Sequence, residues 1–380
     1  DNLKPDKQYI TGWLSSGWTN DVMTYTNLLF LSLLTERIPV LGPFVPSHLS
    51  PSAGYLPFSE VFDLPLLAHE LHTPILEWSD VKRVEDDLQG EREAVGCWST
   101  WAGWEWGNGQ GRSGWVPDTF DLDVSYTPVP QTYDSHNPQD PHVSLARLMT
   151  LSFSSSRSLA IARSVPLPSP LLGATLPPSD HLLCFDLLYY ARLVEGKFEW
   201  EEDYSPAWRL VGRKMRWAPL LLQKAEIYLR EHWQIKHSDP IPPYISVHMR
   251  RADFRAYCNG TLECMPTLHQ LERRVSSVRS QLLFLGISAP YVLLTSDETD
   301  ASWWASLPPT YGQINHTLYR TEEKYGEWYP SVLDSVFLSL GSGFVGTEGS
   351  TMSLLAYRRV RERGGVGEWV RWKGVPEGEL

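Results

Sequence analysis

Val-His-Met-Arg-Arg-Ala-Asp-Phe, residues 247–254, ends an apolar run that starts at Tyr244 and Ile245. The run reads as a buried strand. Where it stops, His248, Arg250, Arg251 and Asp253 are released together. In open α/β sheets, ligands bind in the crevice beyond the carboxyl ends of the strands. Arginine is the side chain best suited to hold a phosphate in a fixed bidentate geometry. The stretch therefore points to an α/β fold with an anion site, and to a phosphorylated ligand.

The surrounding sequence repeats this grammar. A helix over residues 219–233 precedes the strand, and a helix over residues 266–282 follows it, with Leu268, Leu271, Val275 and Val278 on one stripe. A strand over residues 291–295, a short helix near Ala301, a further strand over residues 317–320, a helix over residues 330–340 and a strand over residues 344–346 come next. A helix opening near Ser350 completes the set. Near the amino end, residues 9–13 and 38–41 read as strands flanking a helix from about Asn20, carrying Val22, Tyr25, Leu29 and Leu33. Strands alternating with helices imply mostly parallel sheets. Two domains are expected, 1–200 and 201–380, meeting in the region 195–210. Proline-rich residues 128–141 and 166–178 read as long surface loops. Trp98, Trp101, Trp104, Trp106 and Trp115 cluster ahead of them, either stacking on an acceptor or forming the core of an inserted subdomain.

The second informative segment is Phe-Val-Gly-Thr-Glu-Gly-Ser-Thr-Met-Ser, residues 344–353. An apolar strand leads into a turn in which Gly349 permits a tight backbone. The helix that follows opens at Ser350 and Thr351, and the unpaired N–H groups of its first turn favour an anion. Asp334 stands in the otherwise apolar helix before that strand. A carboxylate accepts two parallel N–H donors, which guanine presents and adenine does not, so Asp334 is a candidate reader of guanine. As an alternative, Asp334 is an exposed helix residue and Ser350 a plain helix cap.

These two segments, with Asp334 sixteen residues before Ser350, resemble the protein O-fucosyltransferases that use GDP-fucose, nearest to the branch acting on thrombospondin-type repeats. Residues 244–360 carry most of the resemblance, and Gly17-Trp18-Thr19-Asn20 is similar to that family's first donor loop. The resemblance implies a GT-B glycosyltransferase of two facing Rossmann-like domains, inverting and independent of metal. Carried over by position, Arg250 contacts the β-phosphate and glycosidic oxygen and stabilises the charge on departing GDP. His248 holds the donor, Ser350, Thr351 and the Met352 backbone bind the β-phosphate, and Asp334 reads guanine. Asn20 positions donor or acceptor, and Asp253 orients the two arginines. The family's general-base glutamate has no counterpart, because Gly17 stands at its place. The acceptor implied is a protein Ser or Thr hydroxyl, with a glycan hydroxyl second. A transferase using another GDP-sugar, or a catalytically silent nucleotide-sugar or glycan-binding protein, is the rival reading.

Composition narrows the classes further. With 42% hydrophobic and 21% charged residues the chain can bury large cores. Its net charge of −12 argues against nucleic acid as a partner. Cys258 and Cys264 bracket a short polar loop and are expected to form a disulfide. The acceptor patterns at Asn259 and Asn315 add to the case for glycosylation in the lumen of the endoplasmic reticulum or Golgi, or for secretion. No apolar run approaches the roughly 20 residues that cross a bilayer. The start at Asp1 is read as the loss of a signal or anchor, so membrane contact is expected only through such a segment. Asp121-Leu122-Asp123 matches a short acidic pattern of metal-dependent transferases, but no metal is expected. Asp297-Glu298 faces the same crevice as the arginines and is expected to cap a helix. No Ser-His-Asp order, phosphate-loop lysine motif or Gly-x-Gly-x-x-Gly fingerprint occurs.

Overall fold

The computed structural model describes residues 3–82, 92–102, 109–112, 114–130, 143–193, 198–201, 203, 205–258 and 264–371. They divide into two units, Asp1–Arg216 and Trp217–Leu380. The division thus falls at residue 216 rather than at 200. Residues just before it are tied into the first unit: Asp63 N–H donates to the Arg216 carbonyl at 2.8 Å, and Lys214 Nζ to the Glu70 carbonyl at 2.8 Å.

In the first unit, β1 (Tyr9–Gly12), β2 (Ile38–Leu41), β3 (Leu76–Glu77), β4 (Glu93–Ser99), β5 (Leu122–Pro128) and β7 (Leu182–Phe185) form one parallel sheet in the order β3-β2-β1-β7-β4-β5. A separate two-stranded pair joins β6 (Val143–Ser144) to β8 (Ala191–Arg192). Strand β1 is buried along its whole length, as expected of a central parallel strand covered on both faces. The helix Trp18–Thr35 buries residues around its entire circumference, which is why its apolar stripe is broad in the sequence. From this helix Tyr25 packs edge-on against Phe44 and Phe58, which stack on each other. Cys97 on β4 and Cys184 on β7 form a fully buried disulfide that the sequence reading did not anticipate.

Residues 166–178 form no helix or strand, as expected, but they are not loose. The Ser125 hydroxyl donates to the Leu167 carbonyl at 2.8 Å and accepts from Leu176 N–H at 3.0 Å, laying the segment along β5. Asp123 accepts from the N–H groups of Leu171 and Leu172, at 3.1 and 2.6 Å. Its carboxylate is therefore used to anchor a loop.

The second unit contains β9 (Tyr244–Met249), β10 (Tyr291–Ser296), β11 (Tyr311–Gln313), β12 (Gly343–Thr347) and β13 (Val366–Val370), all parallel, in the order β11-β10-β9-β12-β13. Ile245, Val247 and Met249 point into a core completed by Leu271, Val275, Val278 and Leu282 from the helix Leu268–Phe284. That helix starts with a reciprocal cap between Thr267 and Gln270. Residues 317–320 are not a strand. The Asn315 side chain accepts from Leu318 N–H at 2.8 Å and Tyr319 N–H returns to the Asn315 carbonyl, so the chain turns there. The strand is Tyr311–Gln313, three residues with too little alternation to read. Among the described residues no helix is long and apolar enough to cross a membrane.

Candidate functional site

The carboxyl ends of β9 and β12 are joined through one hydroxyl. Thr347 Oγ1 donates to the His248 carbonyl at 3.1 Å and accepts from Arg250 N–H at 3.0 Å. Beyond Thr347 the chain reverses in a turn closed by Ser350 N–H on the Thr347 carbonyl, with Gly349 at φ +79°. Only glycine takes that conformation without strain. The helix Thr351–Glu362 starts at once, capped by Ser350, whose hydroxyl accepts from Ser353 N–H at 3.3 Å. Ser350 is thus a helix cap, and Met352 is partly buried against the apolar cluster of Leu338, Phe344, Ala356 and Val360.

His248 is buried beside this turn. Its Nδ1 lies 2.7 Å from Ser353 Oγ, which itself accepts from Thr347 N–H at 3.1 Å. Nδ1 is the only acceptor the Ser353 hydroxyl has among the described residues, so Nδ1 is unprotonated and the ring hydrogen sits on Nε2. Burial, reinforced by the Arg250 charge, pushes the His248 pKa down to about 3. The ring is therefore a neutral N–H donor at any physiological pH.

Arg250 is about one-third exposed, with Asp253 2.8 Å and Asp297 2.7 Å from its two terminal nitrogens. The contact to Asp297 lacks hydrogen-bond alignment, which makes it the easier one to exchange for a ligand oxygen. Asp253 orients Arg250 alone. Arg251 is instead buried, held by Glu298 at 2.7 Å, with its guanidinium 4.8 Å from the Trp303 ring centre. Burial pushes the Glu298 carboxyl up, but hydrogen bonds from Arg251 and Arg255 and the Asp300 N–H outweigh it and hold it at about 2. Glu298 thus anchors arginines; the helix Ala301–Ala305 is capped by Asp300, so neither Asp297 nor Glu298 is that cap.

Asp334 lies on the helix Tyr329–Leu340, partly buried. Its Oδ1 is 3.0 Å from His316 Nε2, while His316 Nδ1 is 3.0 Å from Thr321 Oγ1. Asp334 therefore has a partner that the sequence reading missed. Asn315 is exposed, whereas Asn259 lies outside the described residues. The expected Cys258–Cys264 disulfide is present.

Asn20 belongs to the first unit, as the third residue of the helix Trp18–Thr35; its carbonyl accepts the Thr24 hydroxyl at 3.1 Å. Gly17 caps that helix, and a Cβ built on it would stand 2.7 Å from Cδ2 and Nε2 of the His48 ring. A glutamate does not fit there unless His48 moves. Asp21, in the first turn, is buried and its pKa is pushed well above the carboxylate range by burial. Of the tryptophan cluster, Trp98 is core, Trp101 lies under the Arg112 guanidinium at 4.7 Å, and Trp115 is 48% exposed. Trp104 and Trp106 lie outside the described residues. Among the described residues, no group of three His, Cys, Asp or Glu side chains is arranged to hold a metal.

No family model and no curated protein matches the sequence. Solved structures do match its coordinates. A structure of POFUT1 in complex with GDP-fucose aligns with TM-score 0.57 over 97% of this chain and 99% of its own, at 14% identity. A structure of POFUT1 with GDP aligns with TM-score 0.58, also at 14% identity, over 98% of this chain and 100% of its own. The chain has their fold. NodZ alpha-1,6-fucosyltransferase co-crystallized with GDP aligns at TM-score 0.44 and 14% identity, over 94% of this chain and 92% of its own. The POFUT1 alignments span both units, which establishes the expected GT-B class.

Proposed function

We propose that this protein is an inverting, metal-independent glycosyltransferase that moves fucose from GDP-fucose to a hydroxyl acceptor. The observation that carries the reading is the strand-end group of the second unit. Thr347 ties together the main chains of His248 and Arg250 and leads into the helix start at Thr351, so the neutral His248 ring, the Arg250 side chain and the helix start all leave from this one strand end. These supply three kinds of donor to one anion, in the fold of a protein solved with GDP-fucose bound.

In this reading the N–H groups of Thr351 and Met352 and the His248 ring bind the diphosphate, with Ser350 and Gly349 shaping the turn. Arg250 gives up Asp297 for a phosphate oxygen and stabilises the charge that develops as GDP leaves. Asp253 keeps the guanidinium in place. Asp334 accepts the guanine N–H groups, and Asn20 is the candidate for positioning acceptor or donor. The acceptor is a protein Ser or Thr hydroxyl, with a glycan hydroxyl second. The buried Cys97–Cys184 and the Cys258–Cys264 disulfides support a place in the secretory pathway.

One observation favours a second reading, a silent nucleotide-sugar-binding protein: Gly17 stands where the resemblance expects a catalytic carboxylate, with the exposed His48 ring beside it. Incubation with GDP-fucose separates the two. Slow release of free fucose and GDP supports the transferase, whereas donor recovered intact after long incubation supports the binding protein.

A further inference from the structure

Asp334 is not a free carboxylate on a helix face; it belongs to a three-residue chain. His316 stands 3.0 Å from Asp334 Oδ1 through Nε2 and 3.0 Å from Thr321 Oγ1 through Nδ1. A carboxylate accepts only, so Nε2 carries a hydrogen, while Nδ1 is within hydrogen-bond distance of the Thr321 hydroxyl, which can donate or accept. Thr321 is buried, at 1% exposure, and opens the helix Thr321–Tyr325. The residue before His316 is pinned as well: Asn315 N–H donates to the Tyr228 hydroxyl at 3.0 Å. The Tyr228 ring lies 5.9 Å from the imidazole and 4.9 Å from Phe337, one turn along the helix that carries Asp334. The imidazole is therefore fixed at both nitrogens and along its flank. The carboxylate keeps about one-fifth of its side chain exposed, and Oδ2 has no hydrogen bond among the described residues.

The torsion that rotates a carboxylate is broad and soft. Reading two parallel N–H donors needs both oxygens in the plane of the base. A hydrogen bond that ties Oδ1 while leaving its second lone pair and Oδ2 open sets that plane before the ligand arrives, and such preorganisation lowers the cost of binding. We infer that His316 is a positioning residue which orients the Asp334 carboxylate toward a purine with two adjacent N–H donors, and so sets selection for the 2-amino group. The inference rests on the proposed role of Asp334 as the base reader.

The test compares GDP with IDP, which lacks the 2-amino group, and with ADP, by calorimetry on the full chain. The proteins are wild type, His316→Ala, His316→Gln and Asp334→Ala, with circular dichroism to establish folding. Wild type prefers GDP to IDP by about tenfold, the worth of one hydrogen bond to a charged acceptor. His316→Ala weakens GDP about fivefold to tenfold and lowers the GDP-to-IDP ratio to about twofold, leaving ADP unchanged. His316→Gln, whose amide N–H can replace Nε2–H, keeps the ratio within about twofold of wild type. If Asp334→Ala loses GDP while His316→Ala keeps the wild-type ratio, or weakens all three nucleotides equally, the positioning role is overturned and the role of Asp334 stands. If Asp334→Ala binds GDP as wild type does, the base-reading role falls and the inference falls with it.

Discussion

His248 gives the second unit a pH dependence that can be worked out in advance. An unfolded histidine titrates near 6.5, and the folded ring is held at about 3 by burial and the Arg250 charge. A depressed folded value means that the unfolded state takes up the proton first. The contribution is complete above pH 6.5 and is lost as pH falls through the window from about 6.5 to about 3. Integrating the linkage relation between pH 7 and pH 5 gives a loss of about 2 kcal/mol, growing to about 3 kcal/mol by pH 4. Urea unfolding at the two pH values, followed by a probe in the second unit, reads this directly. With a urea slope of about 2–3 kcal/mol/M, the midpoint should drop by on the order of 1 M. His248→Asn removes the titrating ring, and its midpoint should show about 2 kcal/mol less pH dependence, whatever its own stability at pH 7. Equal pH dependence in the two proteins would refute the assignment of a buried neutral ring.

The two disulfides should differ in worth. Their sequence separations of 87 and 6 give, by loop-closure entropy, about 4.5 kcal/mol for Cys97–Cys184 and about 2 kcal/mol for Cys258–Cys264. Denaturant melts of Cys97→Ala/Cys184→Ala and Cys258→Ala/Cys264→Ala should rank in that order. Glu298→Ala leaves the buried Arg251 unpaired and should destabilise the second unit by about 3–5 kcal/mol, seen as a large drop in melting temperature; a surface-sized effect under about 1 kcal/mol would show that the pair is not buried. Expression in a secretory host should place an N-glycan on Asn315, so Asn315→Gln should lose one endoglycosidase-sensitive mass increment; an unchanged mass would remove the glycosylation assignment.

In the second unit β9, β10 and β12 were legible because they are short and apolar between helical patterns, whereas in the first unit β1 and β2 were legible and β4, β5 and β7, set among irregular segments, were not. The boundaries of the legible strands fall where polar side chains resume. The turn after β12 was legible too, since Gly349 and Ser350 announce a reversal and a cap within six residues of a strand. What escaped reading depends on partners distant in sequence. Asp123 looks like half of a metal motif until Leu171 and Leu172 arrive to occupy its carboxylate. Cys97 finds Cys184 only because β7 is laid beside β4, and no local signal marks that pairing. Glu298 reads as a cap from its position after a strand, yet tertiary packing gives it to Arg251 and Arg255. Arg250 and Arg251, adjacent in sequence, have different fates because one faces solvent and the other lies under Trp303. Residues 317–320 have strand-like composition, but the Asn315 side chain captures Leu318 N–H and bends the chain first.

The most direct test of the account is titration of GDP into the full chain by calorimetry with a metal chelator present. Binding should persist without metal. Arg250→Ala and Asp334→Ala should each weaken it by about tenfold or more, as expected for losing a hydrogen bond to a charged group. Absence of GDP binding to the wild-type protein, or wild-type affinity in both variants, would contradict the central claim that the second unit is a GDP-sugar site.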